Sequence, residues 1–213
     1  MSKESRTHKS LLNAKVNLTF YLLSLLLSFF SRKVFLDHLG ADFIGLTGTL
    51  GNILGFLNLA ELGVGASVSY ALYQPIAKGN REEISRIVSV FGCLYRYIGY
   101  FVLAAGIIVS AFFPLMFQHT IFELGIIYFA FFSLLTSSLI GYFINYRSIL
   151  LYADQKNYVV TAYFQTAILI KTLVQMGLVC YTANLYLWVS IELVYSFIHA
   201  TILNWKIRQT YPW

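Results

Sequence analysis

Along the chain, apolar residues gather into six long runs separated by short polar segments. The runs lie at about 13 to 36, 44 to 73, 97 to 117, 121 to 145, 158 to 181 and 185 to 204. Each is near or above the roughly 20 residues that a helix needs to cross a ~30 Å hydrocarbon core. The pattern predicts an all-α polytopic membrane protein with six transmembrane helices in a single membrane domain over 1–213. A seventh element follows from a different periodicity. Pro75 is read as the end of the second helix, and Asn80 caps a new one with Glu83 three residues on. Ile84, Ile87, Val88 and Phe91 then recur at i, i+3, i+4 and i+7 opposite Arg81, Glu82 and Arg86. This predicts an amphipathic helix over 75–92 lying on the cytoplasmic membrane surface and leading into the third span.

Composition agrees with the pattern. Hydrophobic residues make up 58% of the 213, charged residues 11%, and mean hydropathy is +0.69. A soluble domain of that make-up has too little polar surface to cover its core. The net charge of +6 does not point to nucleic acid, because the basic residues sit in short segments between apolar runs and line no single face. Topology accounts for them. With the N-terminus in the cytoplasm, twelve of the fifteen Lys and Arg fall on the inner side: Lys3, Arg6, Lys9, Lys15, Lys78, Arg81, Arg86, Arg96, Arg147, Lys156, Lys206 and Arg208. Both termini are then cytoplasmic. The first apolar run follows Lys9 and Lys15 as a signal peptide would, but no small-x-small cleavage site comes after it, so it is read as a retained helix. Cys93 and Cys180 lie far apart inside apolar runs, which predicts buried structural thiols and no metal or cofactor site. Tyr95, Tyr97, Tyr158, Tyr186 and Trp205 stand near span ends, as interfacial anchors do.

A few charges remain inside the apolar runs, and they are the candidate chemistry. Glu61 lies in GFLNLAELGVGASVSYALY, with Asn58 one turn before it and Gly63 and Gly65 just after. A charge at the bilayer centre costs about 2.5–3.5 kcal/mol on insertion scales, so it normally faces a wet cavity or a partner charge. Counted from the cytoplasmic span ends at ~1.5 Å per residue, Glu61, Lys171 and Glu192 each come out roughly 20 Å deep, and Arg32 roughly 26 Å, with Lys33 beside it. Lys171 and Glu192 either form a structural ion pair across the short connection between spans five and six or serve a substrate. Arg32 and Lys33 either reach a ligand or extend to the outer headgroups. Gln165, Thr172 and Gln175 give span five a polar stripe that suits interhelical hydrogen bonds or a ligand. Glycines at 45, 48, 51, 55, 63 and 65 suit either close static packing or bending of the second span.

Two stretches go further. FLDHLGADFIGLTGTLGNILGFLNLAELGVGASVSYALYQPIAKGNREEISRIV, residues 35–88, and YRSILLYADQKNYV, residues 146–159, resemble the N-terminal half of the Wzx-like polysaccharide flippases. These belong to the multidrug/oligosaccharidyl-lipid/polysaccharide exporter superfamily; LNLAELGVG, LYxPIA and ADQKNY carry the likeness. The resemblance implies a six-helix lobe of a two-lobed, MATE-like transporter in the bacterial cytoplasmic membrane. It implies a function in O-antigen, lipopolysaccharide or capsule biosynthesis, with an undecaprenyl-pyrophosphate-linked oligosaccharide flipped by alternating access. It also implies basic groups near the outer part of helix one for the pyrophosphate, and Arg32 or Lys33 stands there. The chain is accordingly expected to be truncated, its partners being membrane lipids, the lipid-linked oligosaccharide and a missing C-terminal lobe or a second copy.

Other classes find less in the residues. A drug or cation antiporter of the same superfamily is the first alternative, although Val16 to Phe30 lacks the acidic residue that several such proteins use for ion coupling. Glu61 can still serve as a proton or sodium site. An enzyme is not expected: His38 and Asp42 form only a bare HxxxD pair, and there is no HExxH, DxD or acidic loop cluster. A membrane subunit that transports nothing is the third reading.

Overall fold

Helix is the only regular structure in the computed structural model, which describes residues 6–211. The chain runs through α1 (Arg6–Leu39), α2 (Ala41–Asn58), α3 (Val64–Lys78), α4 (Arg81–Ser110), α5 (Phe113–Met116), α6 (Leu124–Phe143), α7 (Ile149–Ala153), α8 (Asn157–Thr182) and α9 (Leu185–Thr210). Short 3₁₀ turns occupy Leu59–Glu61 and Asn145–Ser148. Among the described residues, six helices are long and apolar enough to cross a membrane: α1, α2 with its 3₁₀ turn, α4, α6, α8 and α9. The protein is thus an all-α polytopic membrane protein. Of the basic residues that set the expected orientation, Lys3 and the side chains of Arg6 and Lys9 lie outside the described residues.

The second apolar run departs from the expected single helix over 44–73. A 30-residue helix would be about 45 Å long, half as long again as the hydrocarbon core. It breaks instead after Asn58. Leu59–Glu61 tightens into a 3₁₀ turn, Leu62 is extended, and Gly63 takes a left-handed backbone (φ 82°) that a side chain would resist. Pro75 does not end the next helix as expected. It lies inside α3, which closes only at Gly79, also left-handed (φ 67°), where the Gly79 and Asn80 amides return to the Ile76 and Pro75 carbonyls.

Asn80 caps α4 as its sequence suggests. Its Oδ1 accepts from the Glu83 amide at 3.3 Å while its Nδ2 donates to the Glu83 carboxylate at 3.1 Å. There is no separate surface helix over 75–92, because α4 continues unbroken from Arg81 to Ser110. Its apolar stripe is turned inward. Ile84, Val88 and Phe91 are buried against Leu72 of α3 and the α7 residues Ile149, Leu150 and Leu151. The same periodicity that would lay a helix on lipid here lays it on protein.

Two apolar clusters hold the bundle, one toward each end. The first joins Phe35 and Leu39 of α1, Phe43, Leu46 and Leu50 of α2, and Phe131 of α6; Trp188 of α9 packs against them edge-on to Phe35 and Phe43. The second joins α3, the start of α4, α7 and the end of α9. Tyr95 packs against both.

At the second end, the ADQKNY stretch forms the corner between α7 and α8. Gln155 is left-handed (φ 59°), and Asn13 of α1 clamps the corner, donating to the Gln155 carbonyl at 3.0 Å and accepting from the Tyr158 amide at 2.6 Å. Asp154 pairs with Lys156 at 2.7 Å and accepts from the Tyr211 hydroxyl at 2.9 Å. Burial, reinforced by the Asp154 charge, pushes the Tyr211 phenol above its usual range, so it remains a donor at neutral pH. The early part of α1 and the residue following α9 therefore meet at one end.

Cys93 and Cys180 are not buried as expected. Both are exposed on the outward faces of α4 and α8, where a small apolar thiol is as well suited to hydrocarbon as to a protein core.

Candidate functional site: two polar cavities on either side of α6

The break after α2 places Glu61 at the inner wall of the bundle. Asn58, the last residue of α2, accepts at Oδ1 from the Ser138 hydroxyl and the Tyr142 hydroxyl of α6, both at 3.0 Å. Its side chain thereby ties the break to α6. The phenols of Tyr95 (α4) and Tyr142 line the same cavity as the Glu61 carboxylate. That cavity, of about 510 Å³, is bounded also by Ser69, Asn145, Tyr146 and Tyr152. Tyr95 is consequently no interfacial anchor, as its place near a span end suggested; it is half-buried and lines the cavity. Tyr97, Tyr186 and Trp205 are exposed, as anchors are.

A second cavity, of about 240 Å³, lies across α6 between α8 and α9. Lys171 Nζ donates to Glu192 Oε1 at 2.7 Å, and both side chains are largely shielded, 16% and 19% exposed. The pair spans α8 and α9, so of the two roles open to these residues the ion pair is the one formed. It also faces the cavity, with Tyr195, Ser196 and His199. Ser138, Gly141 and Asn145 line both cavities. Asn145 Oδ1 and His199 Nε2 are buried without a hydrogen-bond partner. In hydrocarbon surroundings an unpaired polar atom is costly, and the cavity beside each leaves room for a partner.

The depth of Glu61 does not follow from counting back from Gln74, because that count assumes one continuous helix and the chain breaks at Gly63. Glu61 and the Lys171–Glu192 pair nonetheless flank the same segment of α6. Arg32 and Lys33 do not join them. They are exposed on α1 and line neither cavity, while Ser31 and Phe35 take the buried positions of that turn. Span five's stripe serves interhelical bonding: Gln165 accepts from Ser24 of α1 at 3.4 Å, and the buried Gln175 donates to the Trp188 carbonyl at 3.0 Å. His38 Nδ1 lies 2.9 Å from the Val34 carbonyl, within its own helix.

Sequence reasoning missed Ser138, Tyr142 and Asn145. Their signal was the run SSLIGYFINYRS, residues 137–148, which places hydroxyls and an amide at the end of the most apolar span. It also missed which glycines pack. A Cβ at Gly45, Gly48, Gly51 or Gly55 would meet nothing within 4 Å, whereas Gly92, Gly99 and Gly106 of α4 press against Tyr146, Phe143 with Tyr142, and Leu135. Seven-residue spacing keeps these three on one face, and α4 approaches α6 along it.

No protein-family model, curated protein or solved structure matches this chain.

Proposed function

We propose that the chain is the six-helix lobe of a MATE-like polysaccharide flippase, acting in the bacterial cytoplasmic membrane. On this reading it moves an undecaprenyl-pyrophosphate-linked oligosaccharide outward for surface polysaccharide biosynthesis. The observation that carries the reading is the Glu61 cavity: a carboxylate, two amides and several hydroxyls gathered inside a bundle of membrane-crossing helices, between two apolar clusters. Polar groups of this kind persist within hydrocarbon where they serve a polar passenger. The likeness of residues 35–88 and 146–159 to the flippases supplies the passenger's class.

The two ends of such a substrate call for different chemistry. A desolvated pyrophosphate needs charge-assisted donors, and Arg32 and Lys33 offer a fork and a point charge on the exposed face of α1. Sugar hydroxyls suit the mixed acceptors and donors of the cavity. The glycine face of α2 is exposed, and a second lobe or second copy set against it would close the path.

The test is transport in proteoliposomes containing a fluorescent polyprenyl-pyrophosphate disaccharide, with external glycosidase reporting the accessible fraction. The protein should speed the exchange of protected for accessible substrate above protein-free liposomes. Arg32→Gln with Lys33→Gln should slow it by about ten-fold or more, the loss of one to two charge-assisted contacts. Exchange no faster than in protein-free liposomes rejects the function, and an unaltered double variant rejects the role of the two cations.

A further inference from the structure

The charge balance around Glu61 is one-sided. No lysine, arginine or histidine lines its cavity among the described residues. Lys171 is engaged by Glu192 at 2.7 Å and faces the other cavity, Arg96 is exposed, and Arg147 lies between two lining residues without lining it itself. The phenols of Tyr95 and Tyr142, both uncharged, stand beside it in the cavity wall.

The remaining walls favour the same sign of ligand. Phe91, Tyr95, Tyr142, Tyr146 and Tyr152 contribute five aromatic rings, whose faces are electron-rich. Some of the polar atoms are left as acceptors. Ser138 and Tyr142 each direct their single hydroxyl proton to Asn58 Oδ1, leaving lone pairs to spare, and Asn145 Oδ1 is buried with no donor at all. The complement to a carboxylate, aromatic faces and unfilled acceptors is a cation that brings several N–H donors and no acceptor. A primary ammonium has that form. An anion would be repelled. A bare alkali ion would leave most of a 510 Å³ space and its aromatic walls unused.

We propose that the Glu61 cavity is a binding site for a primary ammonium group carried on a polar body. Two sources bear that chemistry: a free amino group on a sugar of the exported glycan, which rests on the function proposed above, and the aminoethyl headgroup of a membrane lipid, which does not. Glu61 takes the ammonium, Asn145 Oδ1 accepts one of its protons, and the rings enclose the adjoining C–H face.

Calorimetric titration of the detergent-purified protein at fixed pH and ionic strength separates the outcomes. The probes are methyl glucosaminide, its N-acetyl counterpart, ethanolamine and sodium chloride. Methyl glucosaminide should bind saturably with Kd of about 1–10 mM. The N-acetyl compound, alike in ring and lacking the charge, should bind about ten-fold more weakly or worse. Glu61→Gln should erase that difference. Ala66→Leu, which narrows the cavity while keeping the charge and every hydrogen bond described, should weaken both sugars and serves should Glu61→Gln fail to fold. Ethanolamine binding as tightly as the glucosaminide supports the ammonium site and assigns it to a lipid headgroup, while the sugar reading fails. Equal binding of the two sugars overturns the ammonium site and leaves the sugar reading standing. Saturation by sodium alone, or by none of the probes, overturns the inference.

Discussion

Lys171 and Glu192 illustrate how a single contact in this bundle combines structure with exposure to a cavity. Each is mostly shielded, and the 2.7 Å bond between them neutralises two charges that α8 and α9 could not otherwise carry through lipid. Removing either partner strands the other. Lys171→Ala or Glu192→Ala should therefore lower stability by about 3–5 kcal/mol. The exchanged pair, Lys171→Glu with Glu192→Lys, should recover most of the loss in a thermal unfolding measurement in detergent. A double variant no more stable than the singles would show that the two residues act apart. Glu61, Asn58, Lys171 and Glu192 were legible as candidates because a charge or amide within an apolar run stands out against its neighbours. Tyr95, Tyr142 and Asn145 were not, since a tyrosine or asparagine near a span end reads equally well as an interfacial group. Only the fold distinguishes an inward phenol from an outward one.

At the scale of the element, glycines separate into two kinds that composition cannot distinguish. Those of α4 fall against α6: a Cβ at Gly99 would come within 2.9 Å of the Phe143 ring and 3.1 Å of Tyr142 Cβ. Those of α2 face open space. Gly99→Val should accordingly cost about 1–3 kcal/mol, because Tyr142 Cβ belongs to a helix that cannot simply swing aside. Gly48→Ala should leave the chain as stable or raise it by up to about 1 kcal/mol through helix propensity. Unfolding in denaturant under identical detergent conditions checks both, and the opposite ranking would refute this account of helix contact. The apolar runs anticipated six long apolar helices, because length and hydropathy decide which helices can lie in lipid, but the second and third, expected over 44–73 and 97–117, run over Ala41–Glu61 and Arg81–Ser110. They did not give the break at Gly63 or the continuity of α4. A glycine inside an apolar run is compatible with a straight helix or a turn, and an amphipathic stripe is satisfied by lipid or by α3 and α7 alike. What decided both was tertiary packing: Asn58 bonded to α6, and Ile84 and Val88 covered by Leu72 and α7.

For the whole molecule, the corner between α7 and α8 fixes which ends belong together. Asn13 and Tyr211 are both bonded to it, and Lys78, Arg81, Arg147, Lys156 and Arg208 belong to the elements that meet at that end. On the positive-inside expectation this end faces the cytoplasm, and labelling tests it. In a protein carrying Cys93→Ser and Cys180→Ser, a membrane-impermeant maleimide applied to intact cells should label His119→Cys, in the connection after α5, and spare Lys78→Cys until the cells are opened. The reverse pattern would invert the molecule. The expected orientation is insensitive to errors of several residues in every span boundary, because it rests on how charge is distributed between short connections.

The strip formed by Ser138, Gly141 and Asn145 bounds both cavities, so neither is a private compartment. Gly141 presents no side chain to either room, and a Cβ built there would touch nothing within 4 Å. A guest on one side leans on a partition whose far surface is the neighbour's wall. Thermodynamic reciprocity then requires that whatever one guest does to the affinity for a second, the second does to the first by an identical factor.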